Sequence, residues 1–148
     1  MGKYKKLSHT VYLCEYHIIW VPKYRFRMLH LPEIKERVEE LLESISEWLG
    51  CEIKEKNVQS DHVHLLVSIP PKISVSTYVG TVKGRTAIKL LSEFKGLKKK
   101  RYWGNHFWAR GYFVNTIGID EVIIRRYVKH QEKEEKKEEQ QNQNFNLF

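Results

Sequence analysis

In "CEIKEKNVQSDHVHLLVSIPP", residues 51–71, two strand-forming runs meet at a two-residue break. The first (51–59) alternates apolar and polar residues around Ile53, and the second (62–69) is rich in β-branched and aliphatic residues. Ser60 and Asp61 stand between them, so the spacing predicts two strands joined by a tight turn. Pro70 and Pro71 end the second strand, because proline offers no backbone N–H to a sheet ladder.

The flanking segments supply the rest of the fold. On the N-terminal side, Ile34, Val38, Leu41, Leu42, Ile45, Trp48 and Leu49 recur at three- and four-residue steps. With Pro32 at the start and Gly50 just past the end, this predicts an amphipathic helix over 32–49. Further back, "TVYLCEYHIIWV" (10–21) reads as one strand stopped by Pro22, followed by the basic turn "PKYRFR". On the C-terminal side, Ser74 or Ser76 can cap a helix running to about Phe94, with Val75, Val79, Val82 and Leu90 inward. "WARGYFVNTIG" (108–118) predicts another strand, and Asp120 can cap a last helix, "EVIIRRYVKHQ".

The order strand, helix, strand, strand, helix, strand, helix is a split βαβ pattern with one helix added. The expected class is α+β: a ferredoxin/RRM-like antiparallel sheet with helices on one face, plus a separate C-terminal helix. One domain is expected over 1–131. Residues 132–148 form a charged, then Gln/Asn-rich tail, in which only Glu132 and Lys136 make a favourable i,i+4 pair. The helix is therefore expected to fray there, with the last ten residues mobile.

The chain of 148 residues carries a net charge of +8. Its acidic run "EKEEKKEE" (132–139) holds five Glu and three Lys, net −2, which leaves +10 on the remainder. Such an excess suits a polyanion, nucleic acid above all. No window is apolar enough for a membrane span and the start lacks the apolar centre of a signal peptide, so a cytoplasmic protein with no membrane partner is expected. Cys14 and Cys51 fit neither a disulfide framework nor a cysteine-rich zinc site.

Two constellations could carry chemistry. His62 and His64 are two residues apart on a strand and leave the same face, so both imidazoles can address one ion; sheet histidines hydrogen-bonded in passing would have the same spacing. On the last helix, Tyr127 and Gln131 are four apart and share a face. A tyrosine hydroxyl is a poor nucleophile at neutral pH, since its pKa is about 10, but a divalent cation on a phosphodiester makes the phosphorus more electrophilic. Two imidazoles and the hard oxygen of Gln131 suit Mg²⁺ or Mn²⁺. Read singly, Tyr127 is equally a core aromatic beside Val128, and Gln131 a solvated polar residue.

"SDHVHLLVSIPP" resembles the histidine-hydrophobic-histidine (HUH) motif, and "VIIRRYVKHQ" resembles the single-tyrosine helix of the small TnpA-type transposases of prokaryotic insertion sequences. "VYLCEYHIIWVPKYRFRML" and "FWARGYFVNTIG" are similar to that family too, so the resemblance runs from Ser8 to Gln131. Plasmid replication initiators and relaxases share the HUH fragment, but they are longer and commonly carry a third histidine where this chain has Gln131. The resemblance implies His62, His64 and Gln131 as metal ligands and Tyr127 as nucleophile. It further implies cleavage of single-stranded DNA through a 5′-phosphotyrosine, hairpin-ended DNA as substrate, and a homodimer with composite active sites.

Asp61 can orient a histidine through its free ring nitrogen or simply form the turn. His17, on a strand among apolar residues, reads as a satisfied sheet histidine. For DNA contact the cluster Lys98, Lys99, Lys100, Arg101, Tyr102, Trp103 and Trp108 combines cations with flat rings. Lys23, Tyr24 and Arg25, and Lys83, Arg85 and Lys89, are further candidates. Two other functions fit this sequence: a non-catalytic RRM-like module, although the aromatic residues usual on its central strands are missing, and a domesticated HUH endonuclease acting on chromosomal repeats.

Overall fold

The computed structural model describes residues 5–23, 28–94, 96, 106–116 and 121–146. Its centre is a four-stranded antiparallel sheet. β1 (Lys5–Leu7) and β2 (Thr10–Tyr12) form a separate two-stranded ribbon; the main sheet comprises β3 (Glu15–Trp20), β4 (Glu52–Val58), β5 (Val63–Ser68) and β6 (Phe113–Asn115), in the order β4-β5-β3-β6. β3 and β4 run parallel with β5 between them, which is the split βαβ arrangement expected from the element order.

α1 (Pro32–Leu49) begins with proline at its first positions, where no N–H is missed, and ends on Gly50 at φ 77°. Only a residue tolerant of the left-handed region closes a helix this way, and it lets Cys51 N–H reach Ser46 O at 2.9 Å. α2 (Val75–Glu93) starts from Ser74, whose hydroxyl accepts the Thr77 N–H at 3.0 Å. The two helices are tied together by a buried Ser46–Tyr78 hydrogen bond of 2.7 Å and by a two-pronged Arg37–Glu93 pair, both prongs 2.8 Å.

The sheet buries both faces, and strand alternation assigns them. Ile18 and Trp20 of β3 and Val63, Leu65 and Val67 of β5 pack with α1 and α2 in the main core. The intervening residues Ile19 and Val21 face the other way, where they meet Ala109 and Val128, with Phe113 and Tyr127 packed alongside. Val128 and Tyr127 belong to α3 (Glu121–Asn146), so this helix covers the face opposite α1 and α2.

Four expectations are revised. The run 10–21 is two strands: Thr10–Tyr12 turns back on Lys5–Leu7 through Ser8 and His9, the latter at φ 65°, and only Glu15–Trp20 enters the main sheet. β-branched residues on both sides of Leu13 and Cys14 hide that break from a propensity reading. The run 108–118 pairs as a strand only over Phe113–Asn115; Trp108 bridges Pro22 by itself, and the chain turns at Gly111, φ 83°. Trp48, counted on the apolar stripe of α1, is 65% exposed.

Finally, α3 stays helical through Asn146 instead of fraying after Gln131. Glu, Lys and Gln are strong helix formers in their own right, and a count of charge pairs leaves that propensity out. Glu135 and Glu139 are moreover buried, so the segment packs as well as coils. No helix among the described residues is long and apolar enough to cross a membrane.

Candidate functional site

His62 immediately precedes β5, at the hairpin where Gln59 N–H donates to His62 O at 2.9 Å. Its Nδ1 lies 2.8 Å from Asp61 Oδ1, and since a carboxylate only accepts, the imidazole donates from Nδ1 and keeps its lone pair on Nε2. A metal-binding histidine needs that arrangement: one nitrogen anchored, the other available. Of the two roles open to Asp61, the structure therefore has it contacting the ring.

His64 is the second residue of β5, opposite Asn57 of β4 and Ile19 of β3. It leaves the sheet on the α3 side, because Val63, Leu65 and Val67 take the other face. Its Nε2 lies 3.1 Å from Nδ1 of His17, with the ring centroids 5.3 Å apart and the planes tilted by 40°. His17 is thus a member of the site that its sequence context did not reveal. It pairs with Leu66 in the register, and the diagonal reach from there to His64 depends on a strand alignment that no local pattern encodes.

Tyr127 and Gln131, both half-buried, are one turn apart on α3. The Tyr127 ring packs on Phe113 at 5.8 Å between centroids. Its hydroxyl is buried and has no hydrogen-bond partner among the described residues, and burial pushes its pKa above the ordinary 10. Within one chain, then, the phenol and the two histidines are on the same side of the sheet without a hydrogen bond between them. Among the described residues no three His, Cys, Asp or Glu side chains converge on one point.

The basic candidates divide. Lys83 is held inside, its ammonium donating to Ala109 O and Gly111 O at 2.8 Å each, and desolvation lowers its pKa to about 8. That lysine pins the 109–111 segment to α2. Arg85 stacks over the exposed Trp48, 4.2 Å from the ring centroid. Lys89 is exposed and Lys23 half-buried. Arg25, Lys98, Lys99, Lys100, Arg101 and Trp103, with Tyr24 and Tyr102, lie outside the described residues. Trp108, read as a base-stacking ring, belongs to the core: it is 5% exposed and meets Trp20 and Phe107 edge-on, while its indole N–H donates to Thr86 Oγ1 at 2.8 Å. Beside it an open cleft of about 370 Å³ between α2 and residues 106–110 is lined by Lys83, Ile88, His106 and Arg110 among others.

A split βαβ sheet with two histidines one residue apart at the head of β5, and a helix bearing Tyr127 over the same face, has known relatives. The family model of IS200-like transposases matches residues 10–131. The transposase for insertion sequence element IS200 of Salmonella typhimurium is 42% identical over 134 residues, which cover 90% of this chain and 87% of that one. The ISDra2 transposase TnpA of Deinococcus radiodurans is 33% identical over 128 residues, 86% of this chain and 90% of that one. Among solved structures, a candidate transposase from Deinococcus radiodurans superposes with a TM-score of 0.75 at 32% identity, covering 86% of this chain and 97% of that one. A REP-associated tyrosine transposase bound to a REP hairpin shares the fold, with a TM-score of 0.52 at 15% identity, covering 86% of this chain and 68% of that one. This chain belongs to the IS200-like transposase family.

Proposed function

We propose that this transposase cleaves and rejoins single-stranded DNA with Tyr127 as nucleophile and His62, His64 and Gln131 as ligands of a divalent cation, Mg²⁺ or Mn²⁺. The observation that carries the reading is the placement of His64 and Tyr127 on one sheet face, with α3 seated on Ile19, the residue opposite His64. The donor set fits the ion: His62 is oriented by Asp61 with Nε2 left to ligate, His64 projects from the same strand face, and Gln131 adds a hard oxygen one turn from Tyr127. Bound there, the ion would stabilise the charge that develops on a scissile phosphate.

The protein's own groups do the rest. Tyr127 Oη forms a bond to phosphorus as the bond from phosphorus to the 3′-oxygen breaks, and the phenolic proton leaves so that the released strand ends in a 3′-OH. A 5′-phosphotyrosine remains. Because it stores the energy of the broken phosphodiester, a 3′-OH can later attack it and rejoin strands without a nucleotide cofactor. Burial raises the Tyr127 pKa above its ordinary 10, so a cation and phosphate in the assembled site would have to offset that added cost of proton loss.

Homodimerisation, with the tyrosine helix of one subunit serving the histidines of the other, is part of this reading; that Tyr127 packs on Phe113 and makes no hydrogen bond to either histidine of its own chain supports it. The substrate is proposed to be hairpin-ended single-stranded DNA, as the REP hairpin on the related fold suggests. The Arg85–Trp48 stack and Lys89 on α2 offer cations beside a flat ring for such a ligand.

The test is a covalent adduct. With Mn²⁺ and a labelled single strand from the ends of its own element, the wild type should give a denaturant-resistant protein-DNA species. Equal adduct from Tyr127→Phe would rule out the nucleophile. Full cleavage by His62→Ala or His64→Ala would remove that histidine from the site.

A further inference from the structure

The two HUH histidines are each held by a neighbour, and only one of those neighbours is a carboxylate. Asp61 takes Nδ1 of His62, and His17 takes Nε2 of His64. We infer that His17 is a positioning residue for His64: its Nδ1 accepts the His64 Nε2–H, which fixes the ring's orientation and places the His64 lone pair on Nδ1.

Two observations define the hydrogen bond and a third argues its direction. At 3.1 Å between nitrogens, one must carry the proton and the other the lone pair. The 40° tilt between the planes and the 5.3 Å between centroids fit an in-plane N–H···N contact rather than a stack of rings. A histidine that ligates through one nitrogen almost always donates from the other, and His62 already follows that rule through Asp61. If the proton lay on His17 instead, His17 would occupy the very lone pair that His64 Nε2 would offer a metal.

The geometry also explains why the anchor comes from β3. His64 is flanked on β5 by Val63 and Leu65, which point into the main core, so a partner must reach it across the sheet. On β4 the residue opposite is Asn57, whose Oδ1 accepts from Gln59 Nε2 at 2.6 Å; on β3 Ile19 stands directly opposite and is apolar, and His17, two residues back on the same face, is the diagonal neighbour. β3 thus supplies both the apolar seat of α3 and the polar anchor of His64, which couples ring orientation to the placement of the tyrosine helix.

This inference rests on the metal-site reading above, so its test includes a measurement on the metal-free protein. Nitrogen-15 NMR of the histidine side chains, with His64 assigned by its loss in His64→Ala, should show the Nε2–H tautomer in the wild type and its loss in His17→Phe. A His64 proton found on Nδ1 overturns the proposal regardless of metal. Mn²⁺ affinity, read by electron paramagnetic resonance, should weaken by about 10- to 100-fold in His17→Phe, the range typical of such orienting partners.

His17→Asn should recover most of that affinity, since Asn Oδ1 lies where the imidazole Nδ1 does. A purely structural role would track ring volume and give the opposite order, with Phe tolerated and Asn not. Unchanged or tighter Mn²⁺ binding by His17→Phe, alongside binding abolished by His62→Ala, overturns the role of His17 alone. Spin-echo modulation from three coupled imidazoles on the bound ion would make His17 a ligand and overturn the positioning role. A wild type that binds no Mn²⁺ would remove the metal reading and this role with it.

Discussion

Ile19 lies directly opposite His64 in the antiparallel register of β3 and β5, and both side chains leave the sheet toward α3. Ile19 is fully buried against Val21, Ala109 and Val128, so the strand that steadies the histidine also seats the helix bearing Tyr127. Ile19→Ala should cost about 2–5 kcal/mol of stability, as other large-to-alanine changes in packed cores do, and should reduce adduct formation beyond the loss of folded protein. Urea denaturation and adduct yield per folded molecule measure the two effects. A loss well under 1 kcal/mol would mean that this second core is not closed.

Asp61 is on the hairpin turn and its side chain is substantially exposed, yet it holds His62 Nδ1 at 2.8 Å. Asp61→Ala should therefore leave stability nearly unchanged while weakening Mn²⁺ binding by roughly 10- to 100-fold. Thermal melting combined with a Mn²⁺ titration checks it. If binding is unaltered, the contact with His62 is incidental and Asp61 serves only the turn.

How much of this was readable beforehand depends on the range of each interaction. The helix at 32–49, the hairpin about Ser60 and Asp61, and the Ser74 cap rest on contacts within a few residues, and sequence periodicity carried them. His62 and His64 were legible as a pair because they stand one residue apart at the head of one strand. His17 was not, because its relation to His64 spans 47 positions and arises from strand register. Trp108 and Lys83 misled for the same reason: Trp108 follows a basic cluster and Lys83 shares its helix with Arg85 and Lys89, and only the packed structure turns the indole onto Thr86 and the ammonium onto two carbonyls. The break at Leu13 and Cys14 escaped because strand propensity reports a pleat but not where it bends.

Trp108 supplies a direct check of core against surface. Trp108→Phe keeps an aromatic ring but removes the N–H that reaches Thr86 Oγ1, and it shrinks a side chain wedged between Trp20 and Phe107. The expected loss is about 1–3 kcal/mol in chemical denaturation, with single-strand affinity of the folded protein unaltered. Weakened DNA binding at undiminished stability would return Trp108 to the nucleic-acid surface.

Lys83 gives a prediction with a pH signature. Its ammonium, desolvated between α2 and the 109–111 segment, has a pKa near 8 in the fold against its ordinary 10.5. Below pH 8 both folded and unfolded chains hold the proton, so the full desolvation penalty is present. Between 8 and 10.5 the unfolded chain still binds the proton that the folded one has released, so this group's contribution to stability rises with pH. Buried tyrosines such as Tyr78 and Tyr127, raised in pKa, push the other way at high pH, so the wild-type curve alone does not isolate the effect. The difference between wild type and Lys83→Met does, because the tyrosines cancel: it should shift in favour of the wild type as pH climbs from 8 to 10.5. Denaturant midpoints measured across that interval provide it, and a flat difference would mean that Lys83 keeps access to water and stays charged throughout.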